Sequence, residues 1–348
     1  MIKRITAAGV VLAVSTFGAP VGTSNPVAAA QPMAPTFISG NFVGDAADEV
    51  FVYRAGEPHD SYLVVFDNGG VPGGELSWDT HPFTVDHQDL VPVAGDFDGD
   101  DRDEIFWYGP GDAPDSIWHF QGTGSVVRLP TGVSGTTYQP IAGDFTGDGA
   151  DDIHWYAPGP TPDPLWEFEV GNAYWTHVRN VSGHYRPVVA SIGKDDTDDT
   201  IWYGPGGTPD SVWDWTQGTL DHTTQALSVA GTTYQPFRYD YYGDGRRGDD
   251  VYWYAQGSTG DPVWEYLFGQ QFRLDDIASP HDDTSDTAVA GDYFGDGRMD
   301  ILFVTNADLS DFTLFDANIE DDFVYEVPGT TGSATVTPEV SPRIPSPH

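Results

Sequence analysis

A unit of about 48 residues recurs along this chain, and the repeat limits the possible folds more than any other feature. The segment GDFDGDDRDEIFWY at 95–108 returns 48 residues later as GDFTGDGADDIHWY at 143–156. Further copies begin at Gly40, Ser191, Tyr239 and Gly291. Six copies therefore fill residues 36–328. Repeats of roughly 20 to 50 residues are typical of solenoids, propellers and arrays.

Each copy divides into four short segments separated by Gly, Pro and Asp clusters. In the third copy these segments are YQPIAGDF, DIHWYAPG, PLWEFEV and YWTHVRNV. Short runs rich in β-branched and aromatic residues, without helical periodicity, are typical of strands. Four strands in a unit of this length match a propeller blade. We therefore predict an all-β chain: one β-propeller domain over 31–329 with six four-stranded blades, a seventh being left open by the longer first unit.

The second segment of each copy is apolar at nearly every position, as in IFWY, IHWY and VYWY. Such a strand needs cover on both faces, which neighbouring blades supply. Eight of the 11 tryptophans also occupy just two repeat positions. They are Trp107, Trp155, Trp202 and Trp253 in the second segment, and Trp118, Trp166, Trp213 and Trp264 in the third. We predict that they pack between blades; the alternative is a set of exposed platforms for sugar rings.

The two ends of the chain differ from the repeats. Lys3 and Arg4 precede an apolar run, and Ala28 to Ala30 form a small-residue cleavage site, so we interpret residues 1–30 as a signal peptide. A signal peptide predicts secretion, and export without any cysteine favours a bacterial source. Residues 330–348 combine proline with Ser and Thr and contain no aromatic residue, which predicts a disordered tail.

The charge of the chain restricts its partners. The sequence has 54 acidic against 14 basic residues, a formal net charge of −40. A surface this negative repels polyanions, so we expect no nucleic acid partner. Beyond the signal peptide no stretch is apolar for about 18 residues, so we expect no membrane insertion. The chain is expected to be a monomer whose partner is an extracellular protein or glycan.

An acidic loop joins the first and second segments of each copy. In copy two, Asp96, Asp98 and Asp100 alternate around Gly99, and Glu104 follows. Alternate oxygens in a glycine turn, with a later carboxylate, supply the ligands that Ca²⁺ takes. Loop and repeat together resemble the FG-GAP or VCBS repeats of secreted bacterial propellers and integrin α-subunit heads, whose loop follows DxDxDGxxD. This resemblance covers 36–328 and implies structural calcium in the loop.

The resemblance implies ligands in three further copies. Copy three keeps the pattern with a hydroxyl in second place, whereas copies five and six have Tyr242 and Phe294 there. The predicted calcium ligands are Asp96, Asp98, Asp100, Glu104, Asp144, Thr146, Asp148, Asp152, Asp240, Asp244, Asp250, Asp292, Asp296 and Asp300. Copy one retains Asn41, Asp45 and Glu49, and copy four retains Asp195 and Asp199. For copies one, four, five and six the alternative is a metal-free loop held by Asx turns.

The sequence contains no catalytic signature. HExxH, GxSxG and GxxxxGKS/T are absent, and the ten histidines have no metal-ligand spacing. Because the prominent carboxylates recur in copy after copy, whereas a catalytic pair is singular, we expect no enzyme but a calcium-stabilised binding scaffold. The alternatives are a multivalent lectin, suggested by the repeated PDSxW and DPxWE segments, and a glycoside hydrolase. A further alternative is adhesion through the RGD tripeptide at 247–249.

Overall fold

A computed structural model defines the fold over most of the repeat region. It describes residues 34–55, 61–67, 69, 75–87, 89–133, 135, 138–169, 173–193, 195–229, 231, 233–240, 249–256, 260–267, 270–277, 286–305, 312–316, 322–327 and 335–339. The predicted signal peptide lies outside these residues. All regular elements of the described ranges are strands.

The first three sheets each use four consecutive strands. Blade 1 contains β1 (Thr36–Gly40), β2 (Glu49–Tyr53), β3 (Ser61–Asp67) and β4 (Ser77–Phe83). Blade 2 contains β5 (Val91–Gly95), β6 (Glu104–Tyr108), β7 (Asp115–Phe120) and β8 (Val126–Thr131). Blade 3 contains β9 (Gln139–Gly143), β10 (Asp152–Tyr156), β11 (Asp163–Glu169) and β12 (Ala173–Arg179).

The last three sheets follow the same plan. Blade 4 contains β13 (Arg186–Ala190), β14 (Asp199–Tyr203), β15 (Asp210–Trp215) and β16 (His222–Leu227). Blade 5 contains β17 (Gln235–Tyr239), β18 (Asp250–Tyr254), β19 (Asp261–Leu267) and β20 (Gln270–Ile277). Blade 6 contains β21 (Thr287–Gly291), β22 (Asp300–Val304), β23 (Phe312–Asp316), β24 (Asp322–Val327) and β25 (Thr335–Glu339).

In every sheet the strands pair antiparallel in chain order. The prediction of an all-β propeller with six blades is therefore confirmed, and the longer first unit forms an ordinary four-stranded blade. No sheet of the described chain mixes strands from its two ends. The ring therefore closes through side-by-side packing of blade 6 against blade 1.

The second strand of each blade is buried at all five positions. Six apolar clusters surround these strands, one between each pair of neighbouring blades. The cluster that closes the ring joins Val50 and Phe66 of blade 1 to Leu302 and Leu314 of blade 6. Burial on both faces explains why these segments are apolar throughout rather than alternating.

Aromatic rings repeat the same contact between neighbouring blades. A tyrosine at the end of one second strand meets the second-strand tryptophan of the next blade, with ring centroids 5.0 to 5.3 Å apart and steep interplanar angles. The pairs are Tyr53–Trp107, Tyr108–Trp155, Tyr156–Trp202 and Tyr203–Trp253. The predicted packing role of the tryptophans is therefore confirmed, and equivalent positions have equivalent surroundings.

The C-terminal segment differs from its prediction in one place. Within the tail that the sequence predicts to be disordered, β25 pairs antiparallel with β24 as a fifth strand of blade 6. Thr335, Val336 and Thr337 are β-branched, which favours an extended backbone, and the edge of β24 supplies hydrogen-bonding groups. Within the described ranges no helix is long and apolar enough to cross a bilayer.

Candidate metal centre

The acidic loop connects the first and second strands of each blade, and in blades 1, 2, 3 and 6 left-handed residues turn it. In blade 2 these are Gly99, at φ 70°, and Asp101, at φ 78°. The first acid of the loop, Asp96, accepts hydrogen bonds from the backbone N–H groups of Asp100 and Asp101, each at 3.0 Å. Equivalent bonds form at Asp144 and Asp292. The first acid therefore organises the loop whether or not a cation is bound.

Blade 2 brings the predicted ligands together most closely. One carboxylate oxygen each from Asp96, Asp98 and Asp100 lies within 4.8 Å of the others, as cation ligation requires. Asp98 Oδ1 is buried and has no hydrogen-bond partner among the described residues. Burial, opposed by a hydrogen bond from His119 and reinforced by the charge of Asp98, raises the pKa of Glu104 to about 7. This crowding of partly buried carboxylates fits a cation.

Blade 3 leaves two of its predicted ligands without a hydrogen bond. Thr146 Oγ1 and Asp152 Oδ2 are buried and unpartnered within the described part of the chain. Asp152 Oδ1, in contrast, accepts a hydrogen bond from the Phe168 N–H at 2.9 Å. Burial and the nearby Asp198 raise the pKa of Asp144 to about 6. A buried oxygen without a partner is costly, and a hard cation can satisfy such an atom. Among the described residues, however, only blade 2 brings three acidic or imidazole ligand atoms to within 4.8 Å of one another.

Blade 6 satisfies its acids through the backbone. Asp292 accepts from the N–H groups of Asp296 and Gly297 at 3.0 and 2.9 Å, and Asp300 accepts from the Tyr293 N–H at 2.9 Å. Burial raises the pKa of Asp292 to about 7. Blade 2 makes equivalent bonds at Asp96 and Glu104, so these bonds alone do not separate the two alternatives. The metal-free alternative is favoured in blade 6 because Phe294 stands in place of a ligand and, within the described residues, none of its three acids has a buried oxygen without a partner.

The loop of blade 5 is described only at its two ends. Asp240 and Asp250 are buried, and Asp250 Oδ1 accepts from the Tyr266 N–H at 3.3 Å. The third predicted ligand of this loop, Asp244, lies outside the described residues. The candidate calcium sites are therefore argued from blades 2 and 3.

A further group, not predicted from the sequence, faces the loop from the third strand. In blade 2 this is His119, whose Nδ1 lies 3.1 Å from Glu104 Oε1. In blade 3 the pKa of Asp152 is raised by burial, then by the charges of Asp144 and Asp148, and last by that of Glu167. In blade 4, burial and then the charge of Asp214 raise the pKa of Asp199 to about 8. A signal was present, because an acid follows the third-strand tryptophan in copies three, four and five.

A second missed feature is a buried aspartate just before the last acid of the loop in five of the six blades. Its backbone N–H donates to a carbonyl of the preceding blade, and its Oδ2 accepts from the N–H of the same residue there. The five pairs are Asp48 with Asp292, Asp103 with Asn41, Asp151 with Asp96, Asp198 with Asp144, and Asp249 with Ser191. We call this two-bond contact the blade clasp. Blade 6 has Met299 at this position and keeps only the backbone bond, to Asp240.

The blade clasp also includes one residue of the RGD tripeptide at 247–249, which bears on the alternative of adhesion through that tripeptide. Asp249, the last residue of the tripeptide, is buried, and its carboxylate lies 2.8 Å from Nε of the buried Arg238. Arg247 and Gly248 lie outside the described residues. A carboxylate committed to the frame in this way is not available to a receptor, so the structure gives adhesion through RGD no support.

The repeated PDSxW and DPxWE segments, which suggested a lectin, take part in the hydrogen bonding and packing of the propeller itself. Asp115, in the PDS segment of copy two, accepts from the N–H groups of Gly109 and Val133, and Asp163 and Asp210 make the equivalent bonds. Seven of the eight repeated tryptophans are buried, and the remaining one, Trp213, stacks on His222 at 4.0 Å. These rings are not free to stack on sugars.

Exposed apolar side chains concentrate on the outer strands of blades 2 and 3. Among the described residues the large exposed ones are Val127 and Leu129 on β8, and Tyr174, Trp175 and Val178 on β12. Trp175 and Val178 are the most exposed, at 62% and 60%. We call these five residues the rim patch.

The repeated blades and their acidic loops place this chain in a definite class, that of six-bladed β-propellers. More particularly, residues 96–155 match the sequence model described as FG-GAP-like repeat, which confirms the resemblance. The matched stretch contains the loops of blades 2 and 3. A solved structure of a triple arginine-to-alanine mutant of AofleA from Arthrobotrys oligospora is similar, at 13% identity and a TM-score of 0.46 over 87% of this chain and 86% of that one. Comparison with curated proteins gives no match.

Proposed function

We propose that this chain is a secreted binding scaffold, not an enzyme, which Ca²⁺ stabilises in blades 2 and 3 and which binds an extracellular protein or glycan through its rim patch. Two observations carry the binding role: Trp175 is exposed on one face of blade 3, and Val127, Leu129, Tyr174 and Val178 are exposed together toward the gap between blades 2 and 3. Large apolar side chains grouped on a surface mark interaction sites, because isolated ones are common but clusters are not.

The strand registers show how the rim patch is built. Leu129 pairs with Ile117, and Tyr174 pairs with Phe168. Cross-strand partners lie on the same face of a sheet, and Ile117 and Phe168 belong to the cluster between blades 2 and 3. Leu129 and Tyr174 therefore face each other across the outer gap between these two blades. Trp175, the next residue on β12, projects from the opposite face of blade 3.

The calcium role is supported by the orphaned oxygens of blade 3. Thr146 and Asp152 are predicted ligands, come from different parts of the loop, and have buried oxygens without partners. Calcium bound there would neutralise the charge of the acidic loop and would be coordinated by these oxygens. Its expected role is structural, because the same loops carry the contacts between blades.

The enzyme alternatives have no comparable support. The last acid of the loop holds the backbone in several blades: Glu104 accepts from the Phe97 N–H and Asp199 from the Ile192 N–H. Acids that accept backbone hydrogen bonds at the same place in several blades have a structural role. The multivalent lectin is disfavoured because its repeated tryptophans are buried, whereas Trp175 provides one exposed indole that suits either a protein or a single glycan.

The binding role is tested by comparing the wild type with Trp175→Ala. The matched control is Thr224→Ala, which alters an exposed residue on the outer strand of blade 4. We expect cross-linking to extracellular proteins, or retention on a glycan array, to yield a partner that Trp175→Ala loses and Thr224→Ala keeps. Loss of one aromatic anchor commonly costs about 2 kcal/mol or more, roughly a 30-fold fall in affinity. Equal binding by both variants would refute the rim patch as the site.

A further inference from the structure

Blade 2 differs from its neighbours in the residue that faces its acidic loop from the third strand. His119 occupies this position in β7, whereas blades 3, 4 and 5 carry Glu167, Asp214 and Glu265. The registers establish the equivalence, because each of these residues follows a tryptophan that pairs with the second residue of the second strand. The loop of blade 2 therefore receives an imidazole nitrogen where the others receive a carboxylate.

Three separate segments aim ligand atoms at one point in blade 2. His119 Nδ1 lies 3.1 Å from Glu104 Oε1 and 3.4 Å from Asp98 Oδ2, and the three atoms lie within 4.8 Å of one another. Asp98 comes from the loop, Glu104 from the first position of β6, and His119 from β7. The side chains of Glu104, His119 and Asp98 are 4%, 14% and 21% exposed, so the cluster is partly shielded from water.

Hydrogen bonding within the protein leaves this cluster incomplete. Asp98 Oδ1 is buried without a partner in the described part of the chain, and so is His119 Nε2. If His119 served as a permanent cation for the two carboxylates, its charged Nε2–H group would be buried without an acceptor, which costs more than burying a neutral group. A bound metal ion neutralises both carboxylates while the imidazole stays uncharged.

We propose that blade 2 binds a divalent transition-metal ion through His119 Nδ1 and the carboxylates of Asp98 and Glu104. Imidazole suits Zn²⁺ and the neighbouring transition metals, whereas Ca²⁺ takes oxygen ligands. This assignment rests on the proposed function, in which the acidic loops bind cations. It adds a transition-metal ion to the calcium proposed there. In blade 2 the two metals draw on the same carboxylates, so Ca²⁺ and the transition-metal ion compete for this loop, whereas blade 3 offers oxygen donors only.

The experiment measures Zn²⁺ and Co²⁺ binding to tag-free, chelator-treated full-length protein in the presence of excess Ca²⁺. The test variant is His119→Gln, which keeps the size of the side chain and replaces the nitrogen donor. We expect its Zn²⁺ affinity to fall by at least about 10-fold, the smallest loss typical of a disturbed metal site. The visible absorption of bound Co²⁺ should weaken in parallel. Far-UV circular dichroism verifies that the variant is folded.

His177→Gln is the matched control. His177 Nε2 lies 2.9 Å from Glu167 Oε2 in the next blade, a histidine–carboxylate pair without a second carboxylate contact. This variant should bind Zn²⁺ like the wild type. Asp98→Asn provides a second test and should weaken Zn²⁺ binding as His119→Gln does. Equal Zn²⁺ affinity in the wild type and His119→Gln overturns the assignment; if Ca²⁺ still raises the melting temperature, the proposed function survives that result.

Discussion

At the scale of single residues, the acids of this chain work first as acceptors for backbone N–H groups. Glu49 Oε2 accepts from the N–H groups of Phe42 and Val43, and Asp199 accepts from those of Ile192 and Trp215. Burial removes these carboxylates from water and neighbouring acids oppose their ionisation. The pKa of Glu49 and that of Asp199 are each raised to about 8.

These raised pKa values predict that stability without metal falls as pH rises. Between the ordinary carboxyl values and about 8 the folded state binds more protons than the unfolded state, so the free energy of unfolding decreases with pH in that window. In the presence of a chelator, the melting temperature should be several degrees higher at about pH 5 than at about pH 8.5.

Glu49→Gln should reduce this pH dependence, because a glutamine oxygen can still accept from Phe42 and Val43 but carries no charge. Asp79→Asn, which changes an exposed acid on β4, is the control and should leave the slope unchanged. A melting temperature that rises with pH over this range would contradict the burial of these acids.

At the scale of strands and loops, the repeat made the blades predictable and left the contacts between them hidden. The apolar second strand and the two tryptophan positions follow a period that is visible in the sequence. The blade clasp does not, because an acid next to the presumed ligand, such as Asp103 beside Glu104, looks like one more loop carboxylate. His119 was missed for a related reason, since its partners come from another strand.

The blade clasp predicts a difference between two substitutions at one position. Asp103→Ala leaves the partly buried Asn41 N–H, which lies 2.7 Å from Asp103 Oδ2, without its acceptor. We expect a loss of about 1–3 kcal/mol in the free energy of unfolding, the usual cost of an unsatisfied buried group. Asp103→Asn keeps an acceptor and should lose less than about 1 kcal/mol. Denaturant titration measures both.

Asp48→Ala makes the same change where blade 1 meets blade 6, since Asp48 Oδ2 accepts from the Asp292 N–H at 2.9 Å. If the ring unfolds as one unit, its cost should match that of Asp103→Ala. Equal stabilities of the alanine and asparagine variants at both positions would show that the clasp contributes nothing.

At the scale of the whole molecule, the ring is closed by packing and by the Asp48–Asp292 clasp rather than by a shared sheet. The sequence left this choice open, because a repeat determines the unit but not its phase at the two ends. A net charge of −40 adds repulsion that favours opening of the ring, and bound cations reduce it. Cation binding in the loops therefore connects the local chemistry to the stability of the entire ring.

The most direct test of a cation-stabilised propeller is the melting temperature after chelation and after Ca²⁺ is restored. At a free Ca²⁺ concentration a hundred times Kd, one site adds about 2.7 kcal/mol, which corresponds to several degrees in a domain of this size. Asp152→Asn retains an oxygen for the Phe168 N–H and should lose much of this increase, whereas Asp300→Asn in blade 6 should retain it. An identical melting temperature with and without Ca²⁺ in the wild type would contradict calcium stabilisation.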